Sequence, residues 1–147
     1  MRYFLLFPFL FLLCSCSFKT NEIIVEDPPD SAKLNEQYYP LDRFINWDDI
    51  LSFEGDYFVY VFSYRCFYCN QIKDLILTYY ELSFYEFYFV EFVEEIPIDR
   101  EIEKTIGVKD IDEVFIKGVP TLLEVKNKEI VGNYAGPKEI GDVITNS

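Results

Sequence analysis

Two cysteines stand at the junction of two segments that have different hydrophobic periods. Residues 57–62 are a continuous apolar and aromatic run, which is typical of a central strand covered on both faces. After Cys69, apolar side chains recur at the spacing of an amphipathic helix, at Ile72, Leu75, Ile76, Tyr79 and Tyr80. The polar residues between them are expected to face water: Asn70, Gln71, Lys73 and Asp74. We therefore predict a strand, a short connection, and a helix that opens on Cys66–Cys69.

The positions of the two cysteines predict different roles for them. A thiol at a helix N-terminus lies among unpaired N–H groups at the positive end of the macrodipole, so the Cys66 thiolate is favoured. Arg65 adds a cation directly before it. Cys69 lies one helical turn further on and is expected to be partly covered. We expect Cys66 to attack disulfides and Cys69 to resolve the mixed disulfide that forms.

The elements around this unit follow from similar signals. Asn46 is a candidate N-cap of a short helix before the first strand, and residues 87–93 are a second buried-looking strand. A helix is expected after that strand, with Asp99 as its cap and with Ile102 and Ile106 on its inner face.

The end of the sequence predicts a hairpin and a last helix. Residues 121–125 and 129–134 are short strands around a turn at 127–128, and Gly136-Pro137 opens a final helix. The order α-β-α-β-α-β-β-α predicts one α/β domain, with two strands joined by a helical crossover and then a terminal hairpin.

Composition excludes several kinds of chemistry. The 147 residues contain no histidine and four cysteines, so neither a Ser-His-Asp triad nor a His-ligated metal site can form. With no further cysteine pair to complete a tetrahedral site, we expect no metal, and no cofactor besides the disulfide. The net charge of -13 leaves no basic face for nucleic acid. Half of the residues are apolar, which is ample for a core.

The N-terminus has the pattern of an export signal. A basic start is followed by ten apolar residues, 4–13, which is shorter than the roughly 20 that span a bilayer as a helix. Leu13-Cys14-Ser15-Cys16 resembles the lipoprotein box of bacteria in the spacing of its leucine and its small residue from Cys16. The resemblance implies that cleavage occurs just before Cys16 and that lipidated Cys16 holds the protein at the outer face of the cytoplasmic membrane, or on its periplasmic side. The alternatives are an ordinary signal peptide or a buried hydrophobic N-terminus.

The chain is therefore expected to have three parts. Residues 1–15 are a signal peptide, residues 16–40 are a lipid-anchored flexible linker, and residues 41–147 are the folded domain. The mature protein would carry 12 basic and 26 acidic residues, and its two free thiols would be Cys66 and Cys69.

The domain resembles the thioredoxin superfamily. Its strand-CxxC-helix unit, Gly107-Val108, Val119-Pro120-Thr121 before the hairpin and the glycines at 132 and 136 occur in the order of that family. The resemblance covers about residues 41–147 and implies a thioredoxin-like three-layer fold, with a central mixed sheet, a C-terminal β-hairpin and flanking helices.

The same resemblance implies a substrate-binding surface. It predicts a cis bond between Val119 and Pro120 beside the two sulfurs, with the Val119 backbone pairing with an extended substrate. Phe67 and Tyr68 lie between the cysteines, so they must be near the surface and are expected to form an apolar lip for that substrate.

Some positions differ from the family pattern. Tyr60 stands where thioredoxin has a buried aspartate that deprotonates the resolving thiol. Glu91 could replace that aspartate as a buried proton acceptor with a raised pKa, although a glutamate at a strand end or reaching water is an equal alternative. Residues 109–118 are a longer segment before the proline than thioredoxin has, which either contacts partners or is merely tolerated.

Aromatic residues between 79 and 89 are predicted mainly as core and strand residues and not as a binding platform. They are Tyr79, Tyr80, Phe84, Tyr85, Phe87, Tyr88 and Phe89.

The leading interpretation is a monomeric, membrane-tethered, extracytoplasmic thiol-disulfide oxidoreductase that acts on protein or peptide disulfides, with a membrane redox partner if it works as a reductase. Oxidase, reductase and isomerase directions stay open. The alternative is an accessory or binding module of an export system with a structural Cys66–Cys69 disulfide. Metal binding through two thiolates is the weakest interpretation.

Overall fold

A computed structural model describes residues 39–147 as four strands and two α-helices. The strands are β1 (Asp56–Phe62), β2 (Glu86–Glu91), β3 (Thr121–Lys126) and β4 (Glu129–Ala135), and the helices are α1 (Phe67–Leu82) and α2 (Pro137–Asn146). No helix among these residues is long and apolar enough to cross a membrane. The signal peptide, Cys16 and all but the last two linker positions lie outside the described residues.

The strands form one mixed sheet in the order β2-β1-β3-β4. β1 runs parallel to β2 and antiparallel to β3, and β3 pairs with β4 as a hairpin. Helix α1 is the crossover that a parallel pair requires. Asn127 and Lys128 both have positive φ, 49° and 63°, as a two-residue hairpin turn of type I′ requires. The predicted mixed sheet with its terminal hairpin is confirmed.

The continuous apolar run of β1 is explained by burial on both faces of the sheet. Successive strand residues point to opposite faces. Phe58, Tyr60 and Phe62 belong to a core cluster that includes residues of α1 and α2. Tyr57, Val59 and Val61 belong to a second cluster on the other face.

The second face is covered mainly by irregular chain where helices were predicted. The segment after Asn46 has only one 3₁₀ turn, Trp47–Asp49, because the Asn46 side chain donates to the Asp49 carboxylate and makes no cap bond to the backbone. The segment after Asp99 likewise has one 3₁₀ turn, Ile102–Thr105, since Asp99 accepts the N–H of Glu101 in a local turn outside any helix. Both predicted helices are therefore wrong.

Two hydrophobic positions also differ from their predicted burial. Ile106, expected on an inner face, is 49% exposed, whereas its neighbour Ile102 is buried as expected. Tyr39 falls at the end of the predicted linker, yet it is 5% exposed and its ring lies 4.1 Å from that of Phe62. The packed part of the chain thus includes residue 39.

The aromatic segment from 79 to 89 is mixed in its burial. Phe87 and Phe89 are buried, and Tyr79, Tyr80 and Tyr88 pack partly against the two clusters, as predicted for core residues. Phe84 and Tyr85 are exposed, so the core interpretation is wrong for these two. They follow the end of α1 at Ser83, where the chain turns into β2.

The segment 109–118 contributes to the core. Val114 and Ile116 are fully buried in the second cluster. Ile116 forms a parallel bridge with Ile98, its N–H donating to the Pro97 carbonyl and its own carbonyl accepting from Asp99. This segment is an integral part of the second layer.

The two residues of this bridge differ in burial, which gives a stability prediction. We expect Ile116→Val to lower the free energy of unfolding by about 0.5–1.5 kcal/mol, because it removes a methylene from a fully buried site. The matched control is Ile98→Val in the partner residue, which is 59% exposed and should change stability by less than about 0.5 kcal/mol. Urea denaturation followed by circular dichroism measures both, and equal losses would contradict the packed role of the segment.

Candidate redox site

Cys66 is the N-cap residue of α1. Its backbone is extended, with φ -83° and ψ 116°, and its Sγ accepts the N–H of Cys69 at 3.1 Å. This N–H is one of the donors that every helix leaves unpaired at its first turn. A thiolate at this position would therefore receive a main-chain hydrogen bond in addition to the field of the helix.

The two cysteines are joined as a disulfide and differ in exposure. Cys66 is half-buried at the surface, whereas Cys69 is 1% exposed. An external sulfur compound can therefore reach Cys66 and not Cys69. This asymmetry is what an attacking and a resolving thiol require.

The segment before β3 lies against the outer sulfur. The Val119–Pro120 peptide bond is cis, and the Val119 carbonyl oxygen lies 3.5 Å from Cys66 Sγ. The Pro120 carbonyl accepts the N–H of Gly136, which ties this segment to the start of α2. A shallow groove of about 210 Å³ runs alongside and is lined by Lys117, Gly118, Val119, Pro120, Ala135 and Gly136.

Two aromatic side chains stand at the surface between the cysteines. Phe67 is 69% exposed and Tyr68 is 57% exposed, and their ring centroids are 5.6 Å apart in an edge-on arrangement. Large apolar side chains this exposed are candidates for contact with another molecule. Their predicted role as a substrate lip stays a prediction.

Arg65 is exposed beside the site. Its main-chain N–H donates to the Ser63 hydroxyl oxygen. Water screens a charge in such a position, so the Cys69 N–H is the more direct stabiliser of a Cys66 thiolate. The predicted contribution of Arg65 to that thiolate stays a prediction.

Glu91 does not have the environment of a buried proton acceptor. It is the last residue of β2 and is exposed. The strand-end alternative describes it, because β2 ends at Glu91 instead of continuing to residue 93 as predicted, and the last pairing of the parallel ladder joins Glu91 to Phe62. The interpretation of Glu91 as a replacement for the buried aspartate of thioredoxin is therefore wrong.

The structure instead buries a lysine near the site, where the sequence predicted a water-facing residue. Lys73 is 7% exposed, between Ile72 and Ile76 on the inner face of α1. Burial lowers its pKa, and the nearby Asp74 carboxylate partly opposes this effect. The sequence does contain a signal for the burial of Lys73. It lies four residues after Cys69, and residues i and i+4 share a helix face.

Tyrosines surround the same region. Tyr60, in the position of the family aspartate, is fully buried in β1, and desolvation raises its pKa. Tyr39 is also buried with a raised pKa, again because of desolvation. Within residues 39–147, no group of three or more cysteine and carboxylate side chains could hold a metal ion.

The glycine that supports the proline segment gives a second stability prediction. Gly136 has φ 86° and ψ 163°, a region that is essentially open only to glycine, so Gly136→Ala should cost about 1–3 kcal/mol. Gly141→Ala is the control, because Gly141 is inside α2 and a Cβ there would lie 3.8 Å from the Leu75 Cδ2, an ordinary contact. That change should stabilise the protein by up to about 1 kcal/mol. Thermal unfolding measures the stability of both variants. A loss of stability in both would contradict the claim that the backbone conformation of Gly136 is what requires a glycine.

Comparisons with known proteins give distant structural similarity only. No family model matches the sequence, and no curated protein matches it. Chlamydomonas reinhardtii thioredoxin f2 is 16% identical, with a TM-score of 0.47 over 70% of this chain and 90% of that one. The short form of spinach chloroplast thioredoxin f is 15% identical, with a TM-score of 0.48 over 70% and 89%. Schistosoma mansoni thioredoxin is 20% identical, with a TM-score of 0.45 over 71% and 94%.

The assignment of the fold depends on features of this chain. They are the strand order with one parallel and two antiparallel pairs, the disulfide at the first turn of α1, and the cis proline bond that leads into β3. Residues 39–147 have a thioredoxin-like α/β fold, with a CxxC disulfide at the start of α1.

Proposed function

We propose that this protein is an exported, membrane-tethered thiol-disulfide oxidoreductase that acts on disulfides of proteins or peptides. The observation that carries the proposal is the unequal exposure of two bonded sulfurs at a helix start. The outer sulfur is accessible and accepts a main-chain N–H, and the inner sulfur is closed off from solvent.

In the reducing direction, the dithiol form starts the reaction. The Cys66 thiolate attacks one sulfur of a substrate disulfide, and the other substrate sulfur leaves as a thiolate. The Cys69 thiolate then attacks Cys66 Sγ, the bond to the substrate breaks, and the first substrate sulfur leaves as a thiolate. Two electrons have moved from the cysteine pair to the substrate, and the Cys66–Cys69 disulfide has formed.

The same steps in reverse oxidise a substrate dithiol. The direction depends on the reduction potential of the pair and on the partner that restores it. For a reductase outside the cytoplasm, electrons must come from a membrane redox partner, because the glutathione pool of the cytosol is not available there.

The surface around Cys66 supports a polypeptide substrate. The main chain at Val119 lies against the outer sulfur, and the shallow groove continues from it toward Gly136. We propose that an extended substrate pairs with this main chain while Phe67 and Tyr68 contact its apolar side chains. Such contacts are tolerant of sequence, which suits an enzyme that acts on many disulfides.

Trapping in cells tests this function. Cys69→Ala leaves Cys66 able to attack but removes the group that releases the substrate, so Cys66-linked proteins should accumulate and be seen on non-reducing gels. The double variant Cys66→Ala/Cys69→Ala is the control and should trap nothing. An empty trap at full expression would contradict the enzyme and favour the accessory module with a structural disulfide.

Membrane tethering is proposed from the sequence alone. The lipoprotein box at Leu13–Cys16 supports acylation of Cys16, and two or more acyl chains hold a protein stably on a bilayer. We expect Cys16→Ala to move the protein from the membrane fraction to the soluble fraction, with Cys14→Ala as the control that leaves it on the membrane. An unchanged distribution for Cys16→Ala would contradict the anchor.

A further inference from the structure

Cys69, the buried cysteine, must lose its thiol proton before it can react. Only the thiolate is a nucleophile, and Cys69 is 1% exposed in the disulfide. Solvent therefore has little access to its thiol, and burial in apolar surroundings disfavours ionisation. If the proposed function holds, a nearby group must take this proton, and Glu91 at the exposed end of β2 is not suited to do so.

Lys73 lies on the same face of the same helix. It follows Cys69 by four residues, and both side chains are on the buried side of α1. Side chains in a helix lean toward its N-terminus and cover the preceding turn. The Lys73 side chain therefore extends from its own position back toward the turn that carries Cys69.

The position of the amine agrees with this direction. Lys73 Nζ lies 5.6 Å from the centroid of the Tyr39 ring. That ring is 4.1 Å from the ring of Phe62, the last residue of β1, from which the chain leads to Cys66. The amine is thus held at the end of the sheet where the cysteines are.

Four other titratable groups lie in this region. They are Tyr39 from the N-terminal segment, Tyr60 from β1, Tyr64 from the connection to α1, and Asp74 from α1 itself. Desolvation raises the pKa of Tyr39 and of Tyr60, so both stay protonated at neutral pH and cannot accept a proton. Asp74 is exposed on the water-facing side of α1, whereas Cys69 and Lys73 are on its buried side. Desolvation lowers the pKa of Lys73, and a buried lysine amine can act as a general base.

We propose that Lys73 accepts the proton of the Cys69 thiol during resolution of the mixed disulfide. The neutral amine becomes an ammonium and Cys69 becomes a thiolate. The thiolate forms a bond to Cys66 Sγ while the bond from Cys66 to the substrate sulfur breaks. The departing thiolate takes a proton from solvent, and the ammonium returns its proton to solvent. In the oxidising direction the ammonium protonates Cys69 as it leaves.

A titration of the unmodified protein tests this coupling without measuring activity. The full-length chain, with ¹³C-labelled lysine, is followed by NMR from pH 6 to 11 in its oxidised and reduced forms, and Lys73→Arg identifies the Lys73 Cε signal. We expect the Lys73 titration to shift when the disulfide is reduced, because coupled groups titrate together. The same Lys73 curve in both forms would overturn the inference.

A single-turnover measurement tests the step itself. Cys66 is loaded with an aromatic thiol that absorbs visible light when it is released, and attack by Cys69 frees it. Lys73→Met keeps the length of the apolar stem. Lys73→Arg keeps the positive charge, on a guanidinium group that cannot accept a proton. We expect both to slow release by about tenfold or more at pH 7, and the Lys73→Met rate to climb with pH. The exposed Lys138→Met is the control.

The outcomes separate this inference from the proposed function. Failure of the wild-type protein to load or release the thiol would contradict the oxidoreductase itself. Normal loading with release in either Lys73 variant within twofold of wild type would overturn the role of Lys73 and leave the oxidoreductase standing.

Discussion

Cys66→Ser should abolish turnover of a disulfide substrate, with a fall of about 10³-fold or more in kcat/KM. The hydroxyl that replaces the thiol is a far weaker nucleophile near neutral pH, and the N–H of Cys69 that supports a thiolate gives an alcohol no comparable activation. Cys69 cannot take over, because it is 1% exposed. Reduction of a disulfide-bonded peptide in the presence of excess dithiol measures this rate.

Cys69→Ser should behave differently from Cys66→Ser. The outer thiol is intact, so the first attack should occur at a rate within a few-fold of wild type, and the reaction should stop at a Cys66 mixed disulfide. Equal rates for wild type and Cys66→Ser would show that the cysteine pair is not the reacting group.

Phe89→Ala should be among the most destabilising substitutions in the protein, with a loss of about 3–5 kcal/mol in the free energy of unfolding. The side chain is fully buried in β2, with ring centroids 5.1 Å from Phe87, 5.3 Å from Tyr39 and 5.7 Å from Tyr80. Removing it leaves a cavity and also breaks these aromatic contacts, each of which contributes beyond its buried area. Urea unfolding of the reduced protein, followed by circular dichroism, measures the loss.

Phe84→Ala is the matched control for Phe89→Ala. Phe84 comes five residues earlier and is fully exposed, so its removal should change stability by less than about 0.5 kcal/mol. The two side chains are identical, but one is fully buried and the other is fully exposed. A similar loss for both would contradict the arrangement of β2 against the helical layer.

The two strands that are continuous apolar runs were predictable from the sequence. The irregular segments after Asn46 and Asp99 were not. Residues 57–62 and 87–90 are apolar on both faces because each strand is covered on two sides, which is a strong signal in a single sequence. Asn46 and Asp99 carry the usual signal of a helix start, but their side chains bond locally instead. A cap residue alone therefore does not determine whether a helix continues beyond one turn.

The cysteines and the proline of the site were predictable because their motifs have fixed places in the fold. Lys73 was missed because a polar residue next to helix positions 72 and 76 was assigned to the water-facing side, although its spacing from Cys69 places it inside. Glu91 was proposed because it follows four apolar residues, but a strand end cannot be recognised from that pattern. In both cases burial depends on the tertiary neighbours of the side chain, and the local sequence pattern does not reveal them.

The reduction potential of the Cys66–Cys69 pair tests the central claim most directly. The full-length chain is equilibrated with defined ratios of oxidised and reduced dithiothreitol, and the fraction of disulfide is read by thiol labelling and mass spectrometry. Because the Cys69 N–H stabilises a thiolate on Cys66, we expect a potential between about -270 and -120 mV, where working oxidoreductases lie. A potential below about -300 mV would mark a structural disulfide and contradict the proposed enzyme.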